Sequence, residues 1–275
     1  ISILPGEDPK EVATAEHTWK LLSRWLSPED GQLWRQASYR FHALVAKQWR
    51  QGRIFLAGDA AHMQPPFLGQ GMCQGIRDVS NLSWKFSAVL QGQVRGGAAQ
   101  ALLDSYGAER QAHVRELTSR IKAVGAVICE RDPAKARERD ARLLQECGGV
   151  VRDTPRQDIL PRLECGLLSD QASAARGSLF PQPLLQGQRM DEVAGHGWRL
   201  VLEPGVDARM STLAPPAMRV VPLGPDDDIE GVATGWFHRF ECVAAVVRPD
   251  NYVFGIAHTS ADVPALLHEV QAAFQ

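Results

Sequence analysis

The sequence predicts an α/β (α+β) protein in two parts, and three observations support this prediction. A short apolar run ends at Gly58-Asp59, two long helical patterns follow it, and the composition changes near residue 173. The 275 residues are 44% hydrophobic and 23% charged, values typical of a folded protein of one or two domains. We therefore expect one part at residues 1–172 and a second at residues 173–275.

Two strands are predicted before the helices. Apolar side chains alternate within residues 36–49, from Tyr39 to Val45, which is the period of a strand with one buried face. The run R-I-F-L-A-G-D then has the composition of a buried strand. Because open α/β sheets bind ligands beyond the carboxyl ends of their strands, we expect function at the end of this run.

Three helical stretches follow. Apolar residues recur at steps of three or four from Gly75 to about Leu90 and from about Ala99 to Glu130, which predicts two amphipathic helices. Pro133 ends the second pattern. Residues 131–147 are rich in charge and are expected to form a solvated surface helix.

Short strands replace long helices after residue 173, where prolines and glycines cluster. The predicted elements of this part are strands at Trp198–Leu202, Met218–Leu223, Cys242–Arg248 and Tyr252–Ala257, and a final helix at Val263–Phe274 capped by Thr259 or Ser260. Pro249-Asp250-Asn251 suits a tight turn, so the last two strands should form a hairpin.

Charge and composition exclude several classes of function. Thirty Lys and Arg against 32 Asp and Glu give a formal charge of −2, so no basic field is available for nucleic acid or an anionic membrane. No apolar run of roughly 18 residues and no signal-peptide pattern occurs. The five cysteines form no C-x-x-C pair, as in a reducing compartment. We expect a soluble, cytoplasmic protein whose partner is a small molecule or a protein.

The segment after the apolar run has the chemistry of a site for a large polar ligand. The Asp59 carboxylate can accept two hydrogen bonds from a vicinal diol such as a ribose. Gly69 and Gly71 leave the backbone bare, so the N–H groups of Met72 and Cys73 can point at a ligand from a helix N-terminus with partial positive charge. The glycines are not a dinucleotide fingerprint, because they begin ten residues after Asp59 and no G-x-G-x-x-G occurs in the chain.

The motif G-D-A-A-H-x-x-P-P-x-x-G-Q-G-M, followed by G-I-R-D-x-x-N-L-x-W-K, resembles the second flavin-binding motif of the single-component FAD-dependent aromatic hydroxylases. About fifteen positions match in register. Y-R-F-H-A, L-L-D-S-Y-G-A-E-R and L-F-P-Q-P also resemble this family, and the closest likeness is to its 3-(3-hydroxyphenyl)propionate hydroxylase and phenol hydroxylase relatives. The resemblance implies FAD as cofactor and NAD(P)H as co-substrate.

The resemblance also implies the roles of individual residues. Asp59 would bind the ribityl or ribose hydroxyls of FAD, and Pro66 would lie against the isoalloxazine near the substrate. Backbone N–H groups in the first turn after Gln70 would contact the flavin N1 and C2 carbonyl. The implied cofactor-binding residues are Gly58, Asp59, Pro66, Gly69, Gln70, Gly71, Met72 and Cys73. Tyr39 and His42, on the predicted strand before the motif, are further candidates for substrate contact, and no catalytic residue is assigned.

The last hundred residues resemble the thioredoxin-like domain of phenol hydroxylase relatives, without the C-x-x-C that dithiol exchange needs. A role in packing or in a homodimer contact is expected. The Rossmann unit and the Asp-Gly motif of the family are absent from this sequence, and Ile1 opens a segment that reads like mid-domain chain. The chain is therefore predicted to be the carboxyl-terminal portion of a hydroxylase, one that binds FAD weakly or not at all by itself.

The function predicted from this resemblance is hydroxylation of a phenolic substrate such as 3-(3-hydroxyphenyl)propionate, with NAD(P)H and O2. Two alternatives stay open: a non-catalytic thioredoxin-like module for binding or oligomerisation, and a hydrolase that uses Asp59 and His62. No metal site is predicted, because two ligands do not make a zinc site, so His62 is expected to make a structural hydrogen bond. Arg77 and Asp78 are expected to form a local ion pair.

Overall fold

The computed structural model describes residues 3, 6–151, 153–185, 187–206, 208–215, 217–224 and 227–274. The chain forms two compact units, residues 1–42 and 43–275. The first unit contains two short helices, α1 (Pro9–Val12) and α2 (Ala15–Leu22). The side chains of Asp8 and Thr14 cap them by accepting from backbone N–H groups of the first turn.

The second unit mixes helices and strands, which confirms the α/β (α+β) class. Its helices are α3 (Gly71–Leu90), α4 (Gly96–Ile128), α5 (Pro133–Glu146), α6 (Arg156–Ile159), α7 (Met190–Ala194), α8 (Val232–Phe240) and α9 (Val263–Ala272). Its strands are β1 (Leu44–Val45), β2 (Arg50–Gln51), β3 (Ile54–Phe55), β4 (His62–Met63), β5 (Leu184–Leu185), β6 (Gln188–Arg189), β7 (Trp198–Leu202), β8 (Met218–Pro222), β9 (Ala244–Val247) and β10 (Val253–Ala257). Short 3-10 turns lie at Gly58–Ala60, Pro66–Leu68, Ala208–Leu213 and Ser260–Asp262.

The strand predicted over residues 36–49 is wrong for most of its length. Within it only β1 pairs in a ladder, and the Tyr39 side chain is 62% exposed rather than part of a buried face. A strand needs a neighbour to accept and donate its backbone hydrogen bonds. Among the described residues, this segment finds a partner strand only in the two-residue pairing of β1 with β4.

The buried strand predicted to end at Gly58-Asp59 is also wrong in part. The run forms only β3, which pairs with β2 across a turn at Gly52, and Ile54 is 69% exposed. The chain then enters the 3-10 turn Gly58–Ala60. An apolar run supplies the composition of a buried strand, but burial on both faces requires layers on each side of it.

The long helices are confirmed, and both begin earlier than predicted. Helix α3 starts at Gly71 and α4 at Gly96. The apolar stripe of α4 is fully buried at Tyr106, Val114 and Leu117, and α3 packs along α4. Helix α5 has no buried residue, as the charged pattern predicted. None of the helices described is long and apolar enough to span a bilayer.

The predicted strands of the last hundred residues are confirmed to within two residues and form one sheet in the order β10-β9-β7-β8. Strands β7 and β8 are parallel, and the other neighbours are antiparallel. Alternate residues of β7 face opposite sides: Val201 packs in the cluster that contains α8, and Leu200 packs in the cluster that contains α9. The predicted hairpin turn is present, with Asn251 at φ 65° donating its backbone N–H to the Arg248 carbonyl.

A buried ion cluster ties the hairpin turn to helices α3 and α4. The Glu109 carboxylate accepts from Arg248 Nη2 at 2.7 Å and from Lys85 Nζ at 2.9 Å, and Arg248 also binds Asp250 at 2.8 Å. Asn81 Nδ2 bridges Glu109 and Asp250, and all these side chains are fully or almost fully buried. Two cations face two carboxylates, so the cluster is neutral. The domain boundary predicted at residue 173 stays a prediction, and this cluster joins residues on both sides of it.

Replacing Glu109 should be strongly destabilising. Glu109→Gln leaves Arg248 and Lys85 buried with one carboxylate fewer, and breaking such a pair typically costs about 3–5 kcal/mol. Urea unfolding followed by circular dichroism measures this free energy. The control is Glu116→Gln on the same helix, because the Glu116–Arg120 pair is exposed and is worth at most about 0.5 kcal/mol. Equal losses in the two variants would contradict the assigned role of the cluster.

Candidate functional site

The predicted ligand-binding carboxylate lies on an exposed turn. Asp59 occupies the middle of the 3-10 turn Gly58–Ala60, and its side chain is exposed. The carboxylate has no hydrogen bond or ion pair with any residue that the structure describes. Both oxygens are therefore available to accept hydrogen bonds from a polyhydroxyl ligand.

The N-terminus of α3 presents bare hydrogen-bond donors. The first backbone bond at this end runs from Gln74 N–H to the Gln70 carbonyl at 2.8 Å. The N–H groups of Gly71, Met72 and Cys73 donate to no described residue, and no side chain caps the helix. Three orphan donors at the positive end of a 20-residue helix make a place for an anionic or electron-rich group.

The exposed turn and the helix N-terminus adjoin through two glycines. A Cβ placed on Gly75 would lie 3.5 Å from the Gly58 Cα, so the two backbones are in direct contact. Gly58 has φ 58°, a left-handed conformation that favours glycine. The Asp59 turn thus contacts α3 near the start of the helix, although Gly58 and Gly75 are 17 positions apart in the chain.

A buried carboxylate behind the glycines holds this arrangement. Asp78 Oδ2 accepts from the Gly58 N–H at 3.0 Å and from His62 Nε2 at 2.7 Å. Asp78 Oδ1 accepts from Arg110 Nε at 2.9 Å, and Arg110 Nη2 also donates to Gln74 Oε1. These four side chains are buried.

The prediction for His62 is confirmed, because the imidazole makes a buried hydrogen bond, to Asp78. The partner predicted for Asp78 needs correction: the ion pair that fixes this carboxylate joins α3 to Arg110 on α4, whereas Arg77 donates to Gln70 Oε1 at 3.2 Å. Sequence reasoning overlooked Arg110 because its partner lies 32 positions away. The signal available in the sequence was the position of Arg110, a long polar side chain on the apolar stripe of the second predicted helix.

The other predicted site residues lie at different places. Pro66 and Gly69 are exposed on the loop before α3, and Met72 is 76% exposed on its first turn. Tyr39 and His42 belong to the first unit, where both side chains are exposed. The roles assigned to these residues stay predictions.

The hypothesis of a metal-dependent hydrolase has no geometric support in the described part of the chain. No three His, Cys, Asp or Glu side chains there are grouped as metal ligands. His62 binds Asp78 rather than Asp59. The pair on which the hydrolase alternative depends is therefore not assembled among these residues.

Burial sets the ionisation of the groups behind the site. Burial, aided by the neighbouring Arg110 cation, lowers the pKa of His113 from 6.5 to about 2. Burial also lowers the pKa of Lys85 to about 8, against the attraction of Glu109. For Glu109, burial acts to raise the pKa, but Arg248 and Lys85 outweigh it and hold the value at about 2. At neutral pH the Glu109 carboxylate is therefore ionised and His113 is neutral.

Comparison with known proteins identifies the class of this site. Residues 7–121 match the family model described as an FAD binding domain. The chain is 38% identical over 283 residues to a probable NADH-specific resorcinol 4-hydroxylase of Rhodococcus jostii strain RHA1, and 32% identical over 283 residues to a 3-(3-hydroxy-phenyl)propionate/3-hydroxycinnamic acid hydroxylase of Mycobacterium sp. strain KMS. These alignments cover 96% and 88% of this chain and 51% and 48% of the relatives. The chain spans about half the length of the curated relatives it matches.

Solved structures agree in fold. The flavin-dependent monooxygenase PieE, in complex with FAD and substrate, superposes with a TM-score of 0.69 at 21% identity, over 99% of this chain and 56% of that one. Aklavinone-11 hydroxylase, in a ternary complex with FAD and aklavinone, gives 0.64 at 22% identity, over 97% and 52%. At these identities the likeness concerns the fold alone.

The site therefore lies in the segment that matches an FAD binding domain, and the chain is similar to proteins named as aromatic hydroxylases. This confirms the resemblance predicted from the G-D-A-A-H motif and confirms FAD as the cofactor of the matched domain. The residues present fit the group: the first N–H groups of α3 are bare, the Asp59 carboxylate is free, and the Asp59 turn touches α3 through Gly58 and Gly75, which carry no side chain.

The buried His113 makes stability depend on pH. Above pH 6.5 it is neutral in both folded and unfolded chains; as pH falls below 6.5 only the unfolded chain takes up the proton, so the free energy of unfolding falls by up to about 1.4 kcal/mol per pH unit. Glu109 adds a further loss from pH 4.5 towards 2. Urea unfolding from pH 7.5 to 5 should show the first slope in the wild-type chain and a flatter one in His113→Phe. Identical slopes would refute the buried neutral state.

Proposed function

We propose that the protein is an FAD-dependent monooxygenase that hydroxylates a phenolic ring with NAD(P)H and O2. The observations that carry this proposal are the free Asp59 carboxylate and the orphan N–H groups of α3, on two elements whose backbones touch at Gly58 and Gly75, within the segment that matches an FAD binding domain. The relatives named as hydroxylases support the reaction class.

The chain's own residues would hold and orient the cofactor. Asp59 would accept from ribityl or ribose hydroxyls, and the N–H groups of Gly71, Met72 and Cys73 would face the pyrimidine edge of the flavin ring. Bound FAD supplies hydride acceptance from NAD(P)H and the activation of oxygen. A helix N-terminus at that edge favours negative charge on the reduced ring by about 0.3–1 kcal/mol, or nearer 2 where partly buried.

The substrate class can be narrowed from the two relatives. Resorcinol and 3-(3-hydroxyphenyl)propionate share a phenol ring with a second substituent meta to the hydroxyl, and both are acted on by relatives according to their names. We propose a meta-substituted phenol as the substrate and NADH as the reductant. Pro66, Tyr39 and His42 are the candidate residues for contact with the ring, and orientation of the ring against the flavin supplies much of the rate.

We propose that residues 173–275 form a thioredoxin-like domain. The sheet order β10-β9-β7-β8, with one parallel pair and a terminal hairpin, and helices on both faces support this assignment. Cys242 is buried and burial raises its thiol pKa to about 12, which favours packing over dithiol chemistry. A homodimer contact through this domain, in a cytoplasmic protein, is the corresponding proposal for its partner.

Removing the Asp59 charge should weaken FAD binding without loss of stability. Asp59→Asn loses an ionised acceptor of cofactor hydroxyls, worth about 1.5–3 kcal/mol, so the Kd for FAD should rise at least about tenfold. Quenching of flavin fluorescence on the protein expressed from its complete coding region measures the Kd. Asp140→Asn, which alters an exposed carboxylate on α5, is the matched control and should leave it unchanged. Equal Kd values in both variants would remove Asp59 from the site.

The activity itself is tested with the same protein. We expect NADH oxidation that depends on resorcinol or 3-(3-hydroxyphenyl)propionate, with one oxygen atom from 18O2 found in the product by mass spectrometry. Benzoate, which has no phenolic hydroxyl, is the control substrate and should not be hydroxylated. NADH oxidation that yields no oxygenated product with any meta-substituted phenol would contradict the proposed substrate class.

A further inference from the structure

We infer that Asp78 and His62 are positioning residues that hold the Asp59 turn in the geometry that binds FAD. This inference rests on the proposed function, since it concerns the same cofactor. Neither side chain has a ligand-facing role, because both are buried behind the turn. Their effect on FAD would therefore pass through the backbone of residues 58–62.

The first argument is that one carboxylate oxygen holds both ends of this segment. Asp78 Oδ2 accepts from the Gly58 N–H at 3.0 Å and from His62 Nε2 at 2.7 Å. Asp59 lies between these two points, and its side chain is exposed. Inside the segment, the backbone contributes the Ala61 N–H to Gly58 carbonyl bond at 2.8 Å. The direction of the Asp59 side chain thus depends on Asp78, which lies 19 positions further along the chain.

The second argument is that the anchor is itself rigid. Arg110 Nε binds Asp78 Oδ1 at 2.9 Å, and both side chains are fully buried. Gln74 Oε1 accepts from Arg110 Nη2 at 2.7 Å. The His62 ring is fixed from its other side, because it stacks on Trp49 with a centroid separation of 5.6 Å and an interplanar angle of 23°.

The third argument concerns the spacing along α3. Asp78 follows Gly71 by seven residues, which is about two helical turns or roughly 10.5 Å. The same helix therefore carries the N–H donors at its start and, two turns later, the carboxylate that holds the Asp59 turn. Helix α3 thus sets the separation between the N–H donors and the Asp59 turn. A cofactor that bridges these two halves of the site binds across a fixed distance.

His62 is the position for the test. Asp78→Ala would leave Arg110 buried without a counter-ion and could unfold the chain. His62→Leu removes the hydrogen bond to Asp78 and keeps an apolar side chain, whereas His62→Gln can place an amide N–H near the position of Nε2. Asn81→Ala is the control on the same helix, because it breaks buried hydrogen bonds to Glu109 and Asp250 and none to residues 58–62.

The protein expressed from its complete coding region is measured in three ways: the Kd for FAD by fluorescence quenching, the Tm by circular dichroism, and hydrogen exchange of a peptide spanning residues 57–63 by mass spectrometry. We expect His62→Leu to raise the Kd about tenfold and to speed exchange of that peptide. His62→Gln should restore both towards wild type. Asn81→Ala should lower the Tm while the Kd and the exchange of residues 57–63 stay within about twofold of wild type.

Several results would overturn the inference. If hydrogen exchange of residues 57–63 is unchanged in His62→Leu, His62 does not hold the Asp59 turn. This result would refute the inference whether or not the protein binds FAD. If the Kd rises in proportion to the loss of Tm in both His62→Leu and Asn81→Ala, the role of His62 is merely structural. The proposed function fails separately, if the wild-type protein and Asp59→Asn both lack FAD binding. A normal Kd in His62→Leu beside a raised Kd in Asp59→Asn would sink the inference alone.

Discussion

The buried Asp78 carboxylate is the contact on which the geometry of the candidate site depends. It accepts from a backbone N–H on the Asp59 turn, from His62 and from Arg110, so three separate segments converge on one side chain. Moving a buried carboxylate that accepts from several donors costs a great deal of free energy, because any displaced donor would be left unpaired in the protein interior. The surface above it can therefore stay open to a ligand while its backbone stays fixed.

The site combines a rigid base with an unsatisfied surface. The first N–H groups of a helix have no partner inside the helix and are satisfied by a side-chain cap, by water or by a ligand. Here the cap of α3 is absent, Gly69 and Gly71 carry no side chain, and Asp59 has no described partner. These groups can therefore bind a ligand without breaking any described hydrogen bond of the fold, which is the physical reason to regard them as binding machinery.

A second buried cluster gives the last part of the chain a structural connection to this site. Arg248, from the hairpin of the β7–β10 sheet, binds Glu109 on α4, and the next residue along α4 is Arg110, the partner of Asp78. The two ion clusters thus occupy successive positions of one helix. Helix α4 therefore contributes both to the contact with the sheet, through Glu109, and to the anchoring of the Asp59 turn, through Arg110.

The sequence by itself determined the helices α3 and α4, the four strands of the sheet and the FAD-related motif, because local periodicity and closely spaced residues encode these features. It could not determine the structure of residues 36–57, because their sequence has the pattern of strands but most of them have no neighbouring strand in the described part of the fold. It also paired Asp78 with Arg77 by proximity, whereas the fold brings Arg110 from 32 positions away. Helix packing decides which buried charges form pairs over long distances in the chain. A buried charge needs a counter-ion to offset its desolvation cost, and its partner is the opposite charge that the tertiary structure places beside it.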